Sequence, residues 1–82
     1  MAPALRTPQQ LGAELRRSRK TRNLTQADIS AQVGKRQATV SNLEAAGSGT
    51  LETLFAVLSV LDLELTLRPR SKSDRSKLGD IF

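Results

Sequence analysis

The chain has 82 residues, a length that fits one small domain. Hydrophobic residues make up 38% of it, so it can form a core, but only a small one. It contains no cysteine and no histidine, which excludes disulfides and removes the usual soft metal ligands. Domains this short often depend on disulfides, metals or association. Association with another chain is the support that remains.

The charge balance favours an anionic partner. Thirteen Lys and Arg oppose eight Asp and Glu, which gives a net charge of +5. This excess is expected of a nucleic-acid-binding domain, although a basic domain without such a partner has the same composition. No apolar run approaches the roughly 18–20 residues of a membrane span, and residues 1–6 lack the hydrophobic region of a signal peptide. We therefore expect a soluble, cytoplasmic protein.

The first predicted helix follows a disordered N-terminus of residues 1–6. Thr7 is a suitable N-cap, Pro8 fits the first helical position, and Gln10 can complete a capping box. Leu11 and Leu15 give this helix one apolar edge, and it is predicted to end near residue 21. Its last turns are strongly basic, which suits the negative end of the helix dipole. The cations are Arg16, Arg17, Arg19, Lys20 and Arg22.

Two short helices are predicted next. Thr25 begins the second helix, with Asp28 as its capping partner, and Gly34 ends it because glycine readily adopts positive φ. The third helix spans about residues 36–45, with Val40 and Leu43 facing inward. Thr50 then caps a fourth helix with apolar residues at helical spacing. These residues are Leu51, Leu54, Phe55, Leu58 and Leu61.

The hydrophobic period changes after the fourth helix. Leucines alternate with polar residues over residues 61–68 and Pro69 follows, a pattern typical of a half-buried strand. A lone strand leaves its backbone groups without partners, so we expect the same strand of a second copy to pair with it about a twofold axis. The leucines expected in this dimer strand are Leu63, Leu65 and Leu67. The alternative is that this segment extends the fourth helix.

A flexible basic tail is predicted for residues 69–82, which are rich in Ser, Lys, Arg and Asp. Its apolar end, Ile81 and Phe82, is a candidate for docking in a partner. The same end could instead mark the free protein for proteolysis, or have no role. Residues 7–68 form the predicted DNA-binding and dimerisation domain.

The segment LTQADISAQVGKRQATVSNLE contains two short helices separated by a glycine turn. It resembles the Xre/Cro family of helix-turn-helix domains, and the resemblance covers residues 7–61. It implies an all-α bundle of four to five helices, here followed by the predicted strand. The family binds DNA through the second helix of the motif, which enters the major groove.

The resemblance assigns roles to polar residues that would otherwise be ordinary solvated surface. Gln37 and Asn42 suit adenine, because a side-chain amide can bond N6 and N7 together, and Ala38 suits a thymine methyl group. The base-reading residues are expected to be Gln37, Ala38, Ser41 and Asn42. The phosphate-binding residues are expected to be Gln26, Lys35, Arg36 and Thr39, although Lys35 and Arg36 can also read guanine. The hydroxyls of Thr39 and Ser41 suit either role.

The resemblance also implies a structural ion pair between Arg19 and Glu44, which would fix the angle of the recognition helix. No enzyme is expected, because the sequence lacks a metal cluster, a nucleophile with its base and a glycine-rich phosphate loop. No cofactor or metal is expected either.

The strand after the fourth helix and the segment RQATVSNLE resemble one subfamily, the HipB-type antitoxins. This resemblance implies a dimer that represses its own operon. It also implies that the dimer binds and restrains a HipA-type serine/threonine kinase. The alternative is a stand-alone dimeric repressor of the Xre family without a toxin partner.

Overall fold

The computed structural model describes residues 4–70 and contains four helices over that range. They are α1 (Pro8–Thr21), α2 (Gln26–Val33), α3 (Gln37–Ala46) and α4 (Leu51–Val60). The all-α bundle is therefore confirmed, without a fifth helix or a strand between residues 4 and 70. Within this range no helix is long and apolar enough to cross a membrane.

Local caps explain where α1 begins. Thr7 Oγ1 accepts from the Gln10 N–H at 3.1 Å, which satisfies one of the donors exposed at the helix start. The Gln10 side chain does not complete the predicted capping box. It accepts instead from the N–H of Arg6 at 2.6 Å, one residue further back. The chain before the helix is therefore held by this contact.

The predicted capping box of α2 is present in full. The Asp28 N–H donates to Thr25 Oγ1 at 3.0 Å, and the Thr25 N–H donates to Asp28 Oδ2 at 2.8 Å. The first of these bonds has a counterpart in α4, where Thr50 Oγ1 accepts from the Thr53 N–H at 3.1 Å. These short-range bonds fix the helix starts that position the motif.

The core lies where α1 and α2 pack against α3, and α4 packs against α2. Its fully buried hydrophobic residues are Leu15, Ile29, Val40, Leu43, Leu54, Val57, Leu58 and Leu61. The apolar face predicted for α4 is only partly covered, since Leu51 and Phe55 are 71% and 51% exposed. Val57 and Thr53 are buried in this helix instead.

A glycine permits the close crossing of α1 and α3. A methyl group at Gly12 would lie 2.4 Å from the Leu43 carbonyl oxygen and 2.6 Å from the Glu44 carbonyl oxygen. Any side chain at this position therefore forces the helices apart. The sequence pattern gave no indication of this contact, which sets how α3 lies against α1.

The chain leaves α4 through a tight turn. Asp62 adopts a left-handed conformation with φ of 55°, and its N–H donates to the Ser59 carbonyl oxygen at 3.1 Å. The Leu63 N–H donates to the Leu58 carbonyl oxygen at 2.8 Å, so the two bonds together form a Schellman motif.

This turn decides between the two interpretations of the segment that follows α4. Residues 63–70 are not helical, and the alternative of an extended fourth helix is therefore wrong. The predicted strand also began too early, because residues 61 and 62 belong to the helix end. Residues 63–70 form neither helix nor strand in the single chain.

Candidate nucleic-acid interface

The polar face of α3 points away from the core. Val40 and Leu43 are buried on one side of this helix, which leaves the predicted base-reading residues on the other. Gln37, Ala38 and Asn42 are exposed, and Ser41 is half-buried. A helix with one anchored apolar edge and an exposed polar face is the arrangement that direct readout in a major groove requires.

The turn between α2 and α3 presents two cations. Gly34 adopts φ of 69°, which reverses the chain after α2. The Lys35 N–H donates to the Ser30 carbonyl oxygen at 3.2 Å, and the Ser30 hydroxyl donates back to the Lys35 carbonyl oxygen. Lys35 and Arg36 are exposed, and Arg36 is the N-cap of α3. The two predicted phosphate-binding cations therefore lie at the start of the recognition helix. Thr39, which was also predicted to bind phosphate, is half-buried one turn further along this helix.

Arg19 and Glu44 form a buried ion pair. Arg19 Nε donates to Glu44 Oε2 at 2.7 Å, and its Nη2 donates to Oε1 at 3.0 Å, which is a bidentate geometry. Both residues are nearly enclosed, with 8% and 7% of their surface exposed. Because a buried charge without a partner is costly, this pair ties the end of α1 to the end of α3.

Two further groups complete this network, and the sequence pattern had not indicated either contact. The Leu24 carbonyl oxygen accepts from Arg19 Nη1 at 2.8 Å. The Gln26 side chain donates through Nε2 to Glu44 Oε1 at 3.1 Å. Gln26 was expected to bind phosphate, which stays a prediction. The structure shows that its amide donates to Glu44 of the recognition helix. A polar residue at the first position of α2 is the sequence signal that could have suggested this contact.

A groove of about 620 Å³ runs beside the recognition helix. The residues of α1 that line it include three cations, Arg16, Arg17 and Lys20. Gln26 and Ser41 line it as well. The basic end of α1 therefore lies next to two of the predicted DNA-contacting residues.

Hydrogen bonds shift the pKa values of two carboxyl groups near this surface. The hydrogen bond from Arg17 lowers the pKa of Glu14, so both groups of this exposed pair stay charged at neutral pH. The backbone N–H of Thr25 lowers the pKa of Asp28, which keeps the cap of α2 ionised. The ionised carboxylate also suits the positive end of the α2 dipole.

The arrangement presents cations, amides and hydroxyls, which suit anions and hydrogen-bonding groups. Within residues 4–70, no three His, Cys, Asp or Glu residues lie close enough to hold a metal ion. The exposed polar groups are amides, hydroxyls and cations, which match phosphates and base edges.

Comparison with known proteins agrees with this geometry. Residues 15–67 match the helix-turn-helix family. Antitoxin HipB of Escherichia coli (strain K12) is 36% identical over 62 residues, a match that covers 74% of this chain and 70% of HipB.

Solved structures show the same relationship. A HipB variant in a complex with the O2 20mer superimposes with a TM-score of 0.80 at 32% identity, covering 87% of this chain and all of that one. HipB in a HipA-HipB-O2-O3 complex superimposes with a TM-score of 0.79 at 31% identity, covering 85% of this chain and all of that one. The chain therefore belongs to the HipB-type antitoxins, a group of helix-turn-helix DNA-binding regulators that are not enzymes.

Proposed function

We propose that the chain is a dimeric antitoxin that represses its own operon and restrains a HipA-type serine/threonine kinase. The observation that carries this proposal is the similarity to HipB in the HipA-HipB-O2-O3 complex, which extends over the whole of that HipB chain. The DNA-facing geometry of α3 supports the repressor part independently, because it follows from burial within this chain.

In the proposed DNA complex, α3 enters the major groove with its exposed face against the bases. Gln37 and Asn42 bond adenine, Ala38 contacts a thymine methyl group, and Ser41 bonds a base edge nearby. Phosphates on either side are bound by Lys35, Arg36, Thr39 and Gln26. Arg16 and Lys20 extend this contact along α1, from the same groove that contains Gln26 and Ser41. Binding at an operator blocks polymerase sterically.

The proposed dimer is supported by leucines that the single chain leaves uncovered. Exposure rises along the segment after α4: Leu63 is half-buried, Leu65 is 47% exposed and Leu67 is 94% exposed. Leu65 also lines an apolar cleft of about 350 Å³ beside Leu51. Pairing of this segment with its copy covers these side chains and places two recognition helices roughly 34 Å apart on one side of the duplex.

The proposed kinase partner is supported by the similarity to the HipA-HipB-O2-O3 complex. The predicted docking residues Ile81 and Phe82 lie outside the described residues, so their role stands as part of this proposal. Deleting residues 71–82 tests it directly: kinase binding is expected to weaken, and unaltered binding would remove the docking role.

The proposal is tested by purifying the tagged chain from its source organism, in whose cytoplasm we expect the complex, and identifying its partners by mass spectrometry. We expect a much larger kinase-like protein in stoichiometric amount. Recovery of DNA without any protein partner would contradict the antitoxin function and favour a stand-alone repressor. The Glu44→Ala variant is unsuitable as a control because it is expected to be strongly destabilised. Gln37→Ala is the suitable control, because it should keep the fold and retain the kinase while losing operator DNA.

A further inference from the structure

We propose that Glu14 limits the affinity of this chain for DNA by holding the guanidinium of Arg17 away from the phosphates. This inference rests on the DNA binding proposed above and adds a residue that sets its strength. It follows from where the Glu14–Arg17 pair lies on α1, how its two side chains are buried, and which neighbouring cations have no such partner.

Arg17 belongs to a stripe of α1 that lies along the groove beside the recognition helix. Gln26 and Ser41, both predicted to contact DNA, line the same groove. Residues spaced by three or four positions share one face of a helix, and the stripe follows this spacing. Arg17 therefore lies beside the surface proposed to bind DNA. The α1 residues that line the groove are Gln9, Ala13, Arg16, Arg17 and Lys20.

The three cations of this stripe differ in their partners. Arg16 and Lys20 are exposed, and neither forms an ion pair with a carboxylate of residues 4–70. Arg17 does form one. Its Nε donates to both carboxylate oxygens of Glu14 at 3.1 Å, and its Nη2 donates to Oε1. One positive charge of the groove is therefore already matched by a negative charge.

The carboxylate is the fixed member of this pair, and the guanidinium is the mobile one. The Glu14 side chain is 19% exposed, whereas that of Arg17 is 64% exposed. A long exposed arginine side chain has many rotamers and can turn towards either of two anions. The hydrogen bond from Arg17 lowers the pKa of Glu14, so the carboxylate stays charged at neutral pH. Glu14 therefore draws Arg17 to itself and away from the groove.

A DNA phosphate and Glu14 compete for the same guanidinium. The edge formed by Nε and Nη2 is occupied by Glu14, and a bidentate arginine–phosphate contact needs an edge of this kind. A phosphate on the remaining side, at Nη1, would stand close to the Glu14 carboxylate, and the two negative charges repel. A neutral side chain at position 14 should therefore give the DNA one additional phosphate contact.

Glu14 is expected to set the strength of DNA binding without changing the choice of sequence. Phosphate contacts carry no direct sequence information, so one additional contact strengthens binding to every duplex. Each contact also steepens the fall of log affinity with log salt concentration, by about 0.9. This salt slope therefore reports how many phosphates the chain contacts.

Glu14→Gln tests the proposal, because glutamine keeps the length of the side chain and removes its charge. Fluorescence anisotropy compares DNA from upstream of the chain's own gene with a scrambled duplex, at several KCl concentrations. Binding to both duplexes should become roughly threefold to tenfold tighter, and both salt slopes should steepen by about 0.9. Unfolding in urea should match wild type, since exposed ion pairs contribute little to stability.

Two further variants show whether Arg17 is the cation involved. Glu52→Gln is the matched control, because it raises the net charge equally at an exposed carboxylate of α4 that does not line the groove. It should leave the salt slope unchanged. In an Arg17→Gln background, Glu14→Gln has no arginine to release, so the single and double variants should share one salt slope. A steeper slope for the double variant would overturn the role of Arg17.

The remaining outcomes separate this proposal from the proposed repressor. Weaker DNA binding by Glu14→Gln overturns the inference, since it would mean that Glu14 holds Arg17 on the phosphate. Equal tightening by Glu14→Gln and Glu52→Gln overturns it as well, since net charge alone would explain the effect. The repressor proposal fails instead when wild type shows no preference for the upstream DNA, a result that leaves tightening on the scrambled duplex measurable. A chain that binds neither duplex overturns both.

Discussion

The helix-turn-helix half of the molecule and the segment after Asp62 differ in one respect. In the first, a single chain supplies partners for its buried polar groups, and in the second it leaves apolar side chains exposed. In the first, the buried guanidinium of Arg19 has a carboxylate and a carbonyl oxygen as partners, and Gln26 also donates to that carboxylate. In the second, Leu65 and Leu67 remain 47% and 94% exposed. The comparison teaches that one chain supplies the contacts that hold its DNA-facing helices, whereas it leaves the leucines after α4 exposed. In the proposed dimer, a second copy covers these leucines.

The largest loss of stability is expected from Glu44→Ala, which removes a buried contact within the helix-turn-helix half. The substitution leaves Arg19 charged and without its carboxylate at a site where only 8% of it is exposed. Unfolding in urea should show a loss of about 3–5 kcal/mol. Glu14→Ala is the matched control, because it breaks the exposed Glu14–Arg17 pair and should leave the midpoint nearly unchanged. Equal midpoints for the two variants would show that the buried pair does not hold α1 against α3.

The next effect is expected from Gly12→Ala, which tests the same half through packing alone. The added methyl group would lie 2.4 Å from the Leu43 carbonyl oxygen, so α1 and α3 must separate. The loss of stability should reach about 3 kcal/mol, the upper part of the range for overpacking. Ala13→Ser, at the exposed neighbouring position, should cost little. If Gly12→Ala unfolds at the wild-type urea concentration, the close crossing does not limit the packing.

Leu67→Lys tests the segment after Asp62. Leu67 is almost fully exposed in the single chain, so its replacement should not change the helical content or the unfolding of the monomer. Two such leucines are buried in the proposed dimer, and dimerisation should weaken by about 3 kcal/mol, which is more than a hundredfold in dissociation constant. Analytical ultracentrifugation measures this effect. Gln32→Lys, an exposed change on α2, controls for added charge, and an unchanged dimer would place Leu67 outside the interface.

The smallest effect is expected from Asp28→Ala, and it depends on pH. The pKa of Asp28 is lowered in the folded chain by the Thr25 backbone N–H. The carboxylate therefore contributes stability above the ordinary aspartate pKa of about 3.9, and this contribution disappears as the pH falls through the folded pKa. The gap between wild-type and variant midpoints should be open at neutral pH and should close in acid. A gap that is constant across this range would mean that the ionised cap does not stabilise α2.

The same contrast explains how much the sequence could predict. The helix starts at Thr7, Thr25 and Thr50 were predictable because a cap depends on residues three positions apart. The contact of Gly12 with α3 and the bond from Gln26 to Glu44 were not, because both depend on how helices distant in sequence cross. Periodicity likewise indicates an apolar face without indicating what covers it.

Phe55 and the leucines after α4 illustrate this limit. The spacing of Phe55 within α4 placed it on the predicted apolar face, yet 51% of it is exposed in the single chain. The alternation over residues 61–68 predicted a strand, but residues 61 and 62 belong to the helix end and residues 63–70 form no strand in the single chain. A helix cap with Asp62 in the left-handed region is difficult to predict, because glycine is the usual residue there.

The central claim is that this chain is a sequence-specific repressor. The most direct measurement compares its affinity for DNA from upstream of its own gene with its affinity for a scrambled duplex. Both affinities should fall steeply with salt, and the upstream DNA should bind more tightly. Gln37→Ala should weaken binding to the upstream DNA roughly tenfold or more without changing the affinity for the scrambled duplex. The double variant Arg16→Ala and Lys20→Ala should weaken binding to both duplexes equally. Equal losses on the two duplexes for Gln37→Ala, or no preference by the wild-type chain, would contradict the account.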